Sequence, residues 1–187
     1  MQIQTVGIIG AGTMGNGIAQ ACATSGINVV MVDISEAAVQ KGLATVAGSL
    51  DRLIKKEKIS ATDKEAALAK IKVSTDYSAL KAAQLVIEAA TENEALKIKI
   101  LQEVDALVGP EVLIASNTSS ISITKLAAVT CRADKFIGMH FFNPVPMMAL
   151  VEVIRGLQTS DATHAAVQAL AQQLGKTPIT VKNGPGF

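Results

Sequence analysis

The run GIIGAGTMGNGIAQ, residues 7 to 20, constrains the fold of this chain more than any other stretch. Gly10, Gly12 and Gly15 stand as G-x-G-x-x-G, directly after the β-rich run TVGIIG (5 to 10) and at the start of a segment of helical character. Each glycine answers a separate physical need. A tight strand-to-helix turn uses Gly10, a diphosphate can approach the backbone only if Gly12 leaves room, and close packing of helix on strand requires Gly15. The free amides and dipole at that helix start, around Thr13 and Met14, attract the anion. Glycines serving a turn alone are the competing reading, and the strand before and helix after weigh against it. Asp33 ends the next β-rich run, NVVMVD (28 to 33), 18 residues after Gly15, where a carboxylate can accept from a ribose 2'-hydroxyl. A 2'-phosphate about 4 Å away would be repelled by up to ~4 kcal/mol at an effective dielectric of ~20. DISEAA offers no arginine to offset this, so the pattern favours NAD over NADP.

The remaining elements follow the same alternation. IKVST (71 to 75), QLVIEA (84 to 89) and VLIASN (112 to 117) read as strands separated by helical segments. A doubly wound α/β fold follows, a mostly parallel sheet covered on both faces. KFIGMHFF (135 to 142), ALVEVI (149 to 154), a helix from about Asp161 to Leu174 and PITVK (178 to 182) come after it. Between about 36 and 70, Val39, Leu43, Val46, Leu50 and Leu53 recur at helical spacing, then ISATD breaks the pattern before a second helix. The expectation is an inserted helical hairpin standing out from the sheet, its second helix capped by Thr62 and Glu65.

At 187 residues with 49% hydrophobic composition, the chain has enough apolar material for one domain, here taken as 1–187. The net charge of +1 gives no overall pull toward nucleic acid or an anionic membrane. No basic leader precedes the N-terminal apolar run, which glycines interrupt, so a soluble, cytoplasmic protein is expected. Cys22, in a helical segment, and Cys131, in a loop, lack metal-ligand spacing and read as reduced structural thiols; no metal is expected.

One of only two histidines, His140, stands in HFFNPVP (140 to 146), at the C-terminal end of an expected strand, where ligands sit in open α/β sheets. Glu152 interrupts ALVEVI twelve residues later, and a carboxylate among aliphatic residues needs a partner. Paired with His140 it would fix the imidazole's tautomer for acid/base chemistry; a satisfied core histidine with an unrelated edge glutamate remains the alternative. His164 reads as a surface residue. In IASNTSSISITKL, hydroxyls follow a strand and precede a short helix. Ser120 or Ser122 can cap that helix, which leaves Ser119 free to face a cofactor.

GAGTMGNGIA, ENEALKIKI, SNTSSISIT, HFFNPVP and LVEVIRG, in this order, closely resemble the 3-hydroxyacyl-CoA dehydrogenases, especially the bacterial 3-hydroxybutyryl-CoA members. The resemblance covers the whole chain. It implies a Rossmann-like domain in which His140 exchanges a proton with the substrate 3-hydroxyl and Glu152 orients it. It places Ser119 and Asn143 around the reacting oxygen and nicotinamide, and Glu92 and Lys97 near the cofactor riboses. Asn117, Thr13 and Met14 join the cofactor-binding set. Ser49 and Lys56, on the hairpin, match positions that touch coenzyme A. Arg52, Lys55, Lys56 and Lys58 could then meet an anionic phosphate, although such a run is ordinarily a solvated face. The hairpin is expected to be mobile and to close over the reacting centre. Met147 and Met148 line an adaptable pocket or fill core.

The chain departs from the family in two places. Ala149 stands where members usually show Lys. The ending NGPGF leads, in the family, into a C-terminal helical domain that completes the cleft, adds an asparagine and forms a homodimer; these 187 residues are expected to hold the NAD-binding domain without it. A mean hydropathy of +0.37 fits a surface made for such a partner. The 187 residues are expected to bind NAD and turn over poorly. A crystallin-like structural relative without activity and a dehydrogenase of a free hydroxy acid or sugar acid are the alternatives.

Overall fold

The computed structural model describes residues 2–182; NGPGF, where the turn into a further domain was expected, lies outside the described residues. Strands β1 (Thr5–Ile9), β2 (Asn28–Val32), β3 (Ile71–Ser74), β4 (Leu85–Glu88) and β5 (Leu113–Ser116) take up the apolar, β-branched runs. They are followed by β6 (Phe136–Phe141), β7 (Leu150–Arg155) and β8 (Thr177–Lys182). All eight form one sheet in the order β3-β2-β1-β4-β5-β6-β7-β8. Pairing is parallel from β3 across to β6, β7 runs antiparallel to β6, and β8 runs parallel to β7. The chain reverses its direction of winding between β1 and β4, so the carboxyl ends of these two strands open the crevice in which such sheets hold ligands.

Alternation along the strands sorts the core into two layers. Ile8, Met31, Ile87, Ala115, Met139 and Val153 belong to one buried cluster, and Ile9, Val32, Val86, Ile114, Phe136 and Ile154 to the other. Helices α1 (Thr13–Thr24), α2 (Glu36–Lys55), α3 (Ala61–Ala69) and α6 (Asp161–Gln173) supply apolar side chains to the first cluster. Helices α4 (Glu94–Leu107) and α5 (Ile123–Ala128) supply the second. The expected doubly wound architecture is present.

Two local readings need correction. The hairpin α2–α3 occupies the expected range but does not stand clear of the sheet: Val39, Val46 and Leu50 are fully buried with α1 and the sheet in the first cluster. The apolar stripe that marked the helix is what anchors it. The cap of α3 is not Thr62 with Glu65. Ser60 Oγ accepts from Asp63 N at 3.0 Å and Asp63 Oδ2 accepts from Ser60 N at 2.9 Å, a reciprocal capping box that starts the helix two residues earlier. Cys22 is fully buried in α1, and burial pushes its thiol up to about 12, so it stays protonated; Cys131 is exposed.

Candidate active site

The turn after β1 is built by backbone contacts that admit no side chain at two positions. Gly10 has φ +105, and its N–H donates to Val32 O at 2.7 Å, so the residue sits in a left-handed conformation against β2. A Cβ on Gly15 would lie 1.8 Å from Gly10 O, which shows how tightly α1 is drawn onto the turn. Gly12 is the N-cap of α1 and makes no side-chain cap hydrogen bond, and the first turn carries no acidic residue. Those amides are therefore left for an external acceptor.

Two grooves meet at Asp33. One, of about 280 Å³, is the less apolar of the two and is lined by Gly12, Thr13, Asn16, Asp33 and Lys41. The other, of about 310 Å³, is more apolar and runs past Gly10, Ile34, Tyr77, Ala90 and Leu96. Ile34 is 89% exposed, an isolated aliphatic side chain at the groove mouth. The Asp33 carboxylate is held between them: Oδ2 accepts from Ala11 N at 2.8 Å and Oδ1 from Ile34 N at 2.7 Å. Free amides beside a lysine, a fixed carboxylate, and an apolar slot fit diphosphate, ribose and adenine in that order. Thr13 is exposed on the less apolar groove, whereas Met14 turns its side chain onto the core and offers the site its backbone.

The loops after β4 and β5 are tied together. Glu92 Oε2 accepts from Ser120 Oγ at 2.7 Å and from Thr118 Oγ1 at 3.1 Å. Ser122 caps α5 through Lys125 N at 3.2 Å, and Ser119 is exposed between the two tied hydroxyls. Of the two serines considered for the cap, Ser120 therefore serves Glu92 instead. Asn117 Oδ1 accepts from Phe141 N at 2.8 Å, so this expected cofactor ligand also pins β5 to β6.

Lys97 departs from expectation. Its side chain is 1% exposed and its ammonium donates to Glu88 Oε1 at 2.5 Å, so here it does not reach toward a ribose. Glu88, wholly buried at the end of β4, also accepts from Ser116 Oγ at 2.8 Å and from Ala90 N at 2.9 Å. A lone lysine would be costly at that depth, and the carboxylate is what draws it in. The sequence reasoning that singled out Glu152, a carboxylate inside an aliphatic strand, applies equally to Glu88 in QLVIEA and would have found this pair. Lys97→Met, which leaves Glu88 buried without its cation, is expected to cost about 3–5 kcal/mol in urea denaturation, and the Glu88→Met/Lys97→Met double variant to recover most of it. A loss no larger than about 0.5 kcal/mol, the range of ordinary surface changes, would show that the pair does not hold this edge.

His140 and Glu152 face each other. They are direct register partners across β6 and β7, and alternation places both on the face that carries Phe136 and Ile154. His140 Nδ1 lies 2.9 Å from Glu152 Oε1, with 16% and 34% of the two side chains exposed. Phe142 flanks the imidazole at a centroid distance of 4.5 Å. With Nδ1 bonded to the carboxylate, Nε2 is left for proton exchange. The alternative of a core histidine beside an unrelated glutamate is not what the structure contains. His164, read as a surface residue, is half-buried on α6 and its Nε2 lies 2.8 Å from Thr180 Oγ1; burial first, then the Arg155 charge, lowers its pKa.

A cleft of about 570 Å³ separates the hairpin from the loop after β6. It brings together Ser49, Lys56, Arg52 and Lys58 from the hairpin side, Thr13 from the glycine turn, and Asn143 and Met147 from the loop. Lys55, part of the same basic run, does not line it. Met147 is 79% exposed and Met148 39%, so neither is core filler.

The family model described as 3-hydroxyacyl-CoA dehydrogenase, NAD binding domain, matches residues 5–184. The chain is 46% identical over 185 residues to a 3-hydroxybutyryl-CoA dehydrogenase of Bradyrhizobium diazoefficiens, covering 99% of this chain and 63% of that protein. It is 44% identical to a probable 3-hydroxybutyryl-CoA dehydrogenase of Bacillus subtilis, covering all of this chain and 65% of the relative. The crystal structure of (S)-3-hydroxybutyryl-CoA dehydrogenase from Ralstonia eutropha superposes with a TM-score of 0.98 at 76% identity, over 100% of this chain and 66% of that one. The chain thus spans just under two thirds of the length of these relatives.

Proposed function

The chain belongs to the 3-hydroxyacyl-CoA dehydrogenase family through that family's NAD-binding domain, and from this we infer that it carries the cofactor and proton-transfer half of an enzyme interconverting (S)-3-hydroxybutyryl-CoA and acetoacetyl-CoA. NAD, when bound, supplies the acceptor for the hydride leaving C3 of the substrate. The amides of Gly12, Thr13 and Met14 would hold the diphosphate, Asp33 the adenosine ribose, and the slot beside Ile34 the adenine ring. His140 takes the proton from the 3-hydroxyl at Nε2, so that the oxygen's electron pair can form the carbonyl as C3 loses its hydrogen; in reduction it returns that proton. Glu152 holds the ring in the tautomer with hydrogen on Nδ1 and stabilises the imidazolium that results. Ser119, exposed in the loop after β5, and Asn143, exposed in the loop after β6, are assigned to the substrate oxygen and nicotinamide, and Glu92 and Asn117 to the cofactor side of the same edge. Ser49 and Lys56 are assigned to coenzyme A, with Arg52 and Lys58 toward its phosphates.

The observation that carries this reading is the hydrogen-bonded His140–Glu152 pair at 2.9 Å at the carboxyl end of β6. Titration with NAD and NADP tests the cofactor half: NAD is expected to bind at least ~10-fold more tightly, well within the ~4 kcal/mol that a 2'-phosphate near Asp33 could lose. Loss of NADH absorbance with acetoacetyl-CoA, challenged by free coenzyme A or by free 3-hydroxybutyrate, tests the substrate half. Inhibition by the free hydroxy acid alone would make this a free hydroxy acid dehydrogenase, and no affinity for either nucleotide would leave a structural relative without activity.

A further inference from the structure

Lys176 lies between α6 and β8, far in sequence from every residue assigned above. Its ammonium donates to Val145 O at 2.6 Å and to Met148 O at 2.8 Å. Between these two carbonyls the chain makes a tight turn in which the amides of Met147 and Met148 both donate to Pro144 O at 3.0 Å. Thr177 N, the next residue on the lysine's side, donates to Ala149 O at 2.8 Å and begins the β7–β8 ladder at Leu150. Three consecutive bonds therefore fasten the segment 145–149 to the start of β8. One side of that segment is buried: Val145 is 2% exposed and sits over Gly17 of α1, where an added Cβ would come within 2.9 Å of Val145 Cβ. Its other side, through Asn143, Pro144, Pro146 and Met147, is a wall of the 570 Å³ cleft.

The two prolines offer no donor, and among the described residues no loop amide bonds the carbonyls of Val145 and Met148. The lysine supplies what the loop lacks, a cation that satisfies two carbonyls at once. Partial burial lowers its pKa from the ordinary lysine value, so holding the ammonium there has a desolvation cost that the two acceptors offset.

We propose that Lys176 is a positioning residue that sets the wall of the acyl-CoA cleft by clamping the Val145–Met148 turn. It lines neither the cleft nor the two grooves at Asp33 and acts through Asn143 and Met147. The clamp itself stands on geometry alone; that the cleft holds an acyl-CoA rests on the function proposed above.

Hydrogen exchange and ligand affinity, measured together on the 187-residue chain, test it. In Lys176→Met, the amides of Met147 and Met148 should exchange at least about tenfold faster, the worth of one charge-assisted hydrogen bond. Acetoacetyl-CoA affinity should fall about tenfold with NAD affinity changed by less than about twofold. Lys176→Arg keeps the charge and two donors and should restore acetoacetyl-CoA affinity to within about threefold of the parent, which a merely space-filling role would not require. Lys176→Gln serves as the second variant should the methionine form fail to fold. Unchanged exchange at Met147 and Met148 overturns the clamp, and a parallel fall in NAD and acetoacetyl-CoA affinity overturns its action on the cleft. A parent chain that does not bind acetoacetyl-CoA refutes the substrate reading separately, and the exchange rates still decide the clamp.

Discussion

His140→Gln is expected to lower acetoacetyl-CoA reduction by roughly 10²–10⁴-fold, the usual contribution of a positioned general acid/base, with NAD affinity unchanged within about twofold. Glutamine keeps much of the ring's volume and polarity but cannot exchange a proton at neutral pH. Glu152→Gln should fall between this variant and the parent. Its amide oxygen can still accept from Nδ1, so the ring keeps its orientation, but the charge that stabilises the imidazolium is gone. A charge-assisted hydrogen bond is worth about 1.5–3 kcal/mol, which corresponds to a loss of roughly tenfold to a hundredfold in turnover. The readout is NADH absorbance, in the 187-residue chain and in the same chain fused to the remainder of the Bacillus subtilis relative, of which this chain spans 65%. Undiminished turnover in Glu152→Gln would remove the carboxylate from the mechanism. A fall in NAD affinity that parallels the loss of rate in His140→Gln would make the imidazole a binding group.

The second large effect separates two glycines that look alike in the motif. Gly15→Ala must push α1 off β1, because the new methyl would stand 1.8 Å from Gly10 O and 2.7 Å from its carbonyl carbon, both backbone atoms that cannot rotate aside. A cost above about 4 kcal/mol is expected, and at roughly 2–4 °C per kcal/mol for a domain of this size the melting temperature should drop on the order of 10 °C. Gly12→Ala meets nothing within 4 Å. Its stability cost should stay below about 1 kcal/mol, the difference between glycine and alanine at an N-cap, while the methyl projects into the space assigned to the diphosphate and lowers NAD affinity at least tenfold. Thermal melting and NAD titration of both variants give the answer. Normal NAD binding by Gly12→Ala would move the diphosphate elsewhere; an unaltered melting temperature in Gly15→Ala would contradict the close approach of helix and turn.

Much of this was readable before any coordinates. G-x-G-x-x-G between a strand run and a helix run states a local geometry completely, because the turn, its amides and the acidic residue on the next strand all arise within a few tens of residues. The alternating apolar runs placed every strand within one or two residues of its observed limits, since period-2 and period-3.6 patterns are properties of neighbouring positions. Cap chemistry was harder. Thr62 with Glu65 and Ser60 with Asp63 both satisfy a three-residue spacing, and only the observed hydrogen bonds choose the second.

What the sequence by itself determined, then, is the doubly wound scaffold, the glycine turn with Asp33 beyond it, and the identity of the side chains available at the carboxyl edge. The tertiary structure decided which of them meet. His140 faces Glu152 because an antiparallel register pairs those two residues and a shift of one would have sent either to the opposite layer. Lys97 is drawn into the interior by Glu88, and Lys176 reaches back across about thirty residues to the Val145–Met148 turn. Pairings of this kind depend on long-range register and on the cost of leaving a buried charge or carbonyl alone, and neither leaves a periodic trace in the chain.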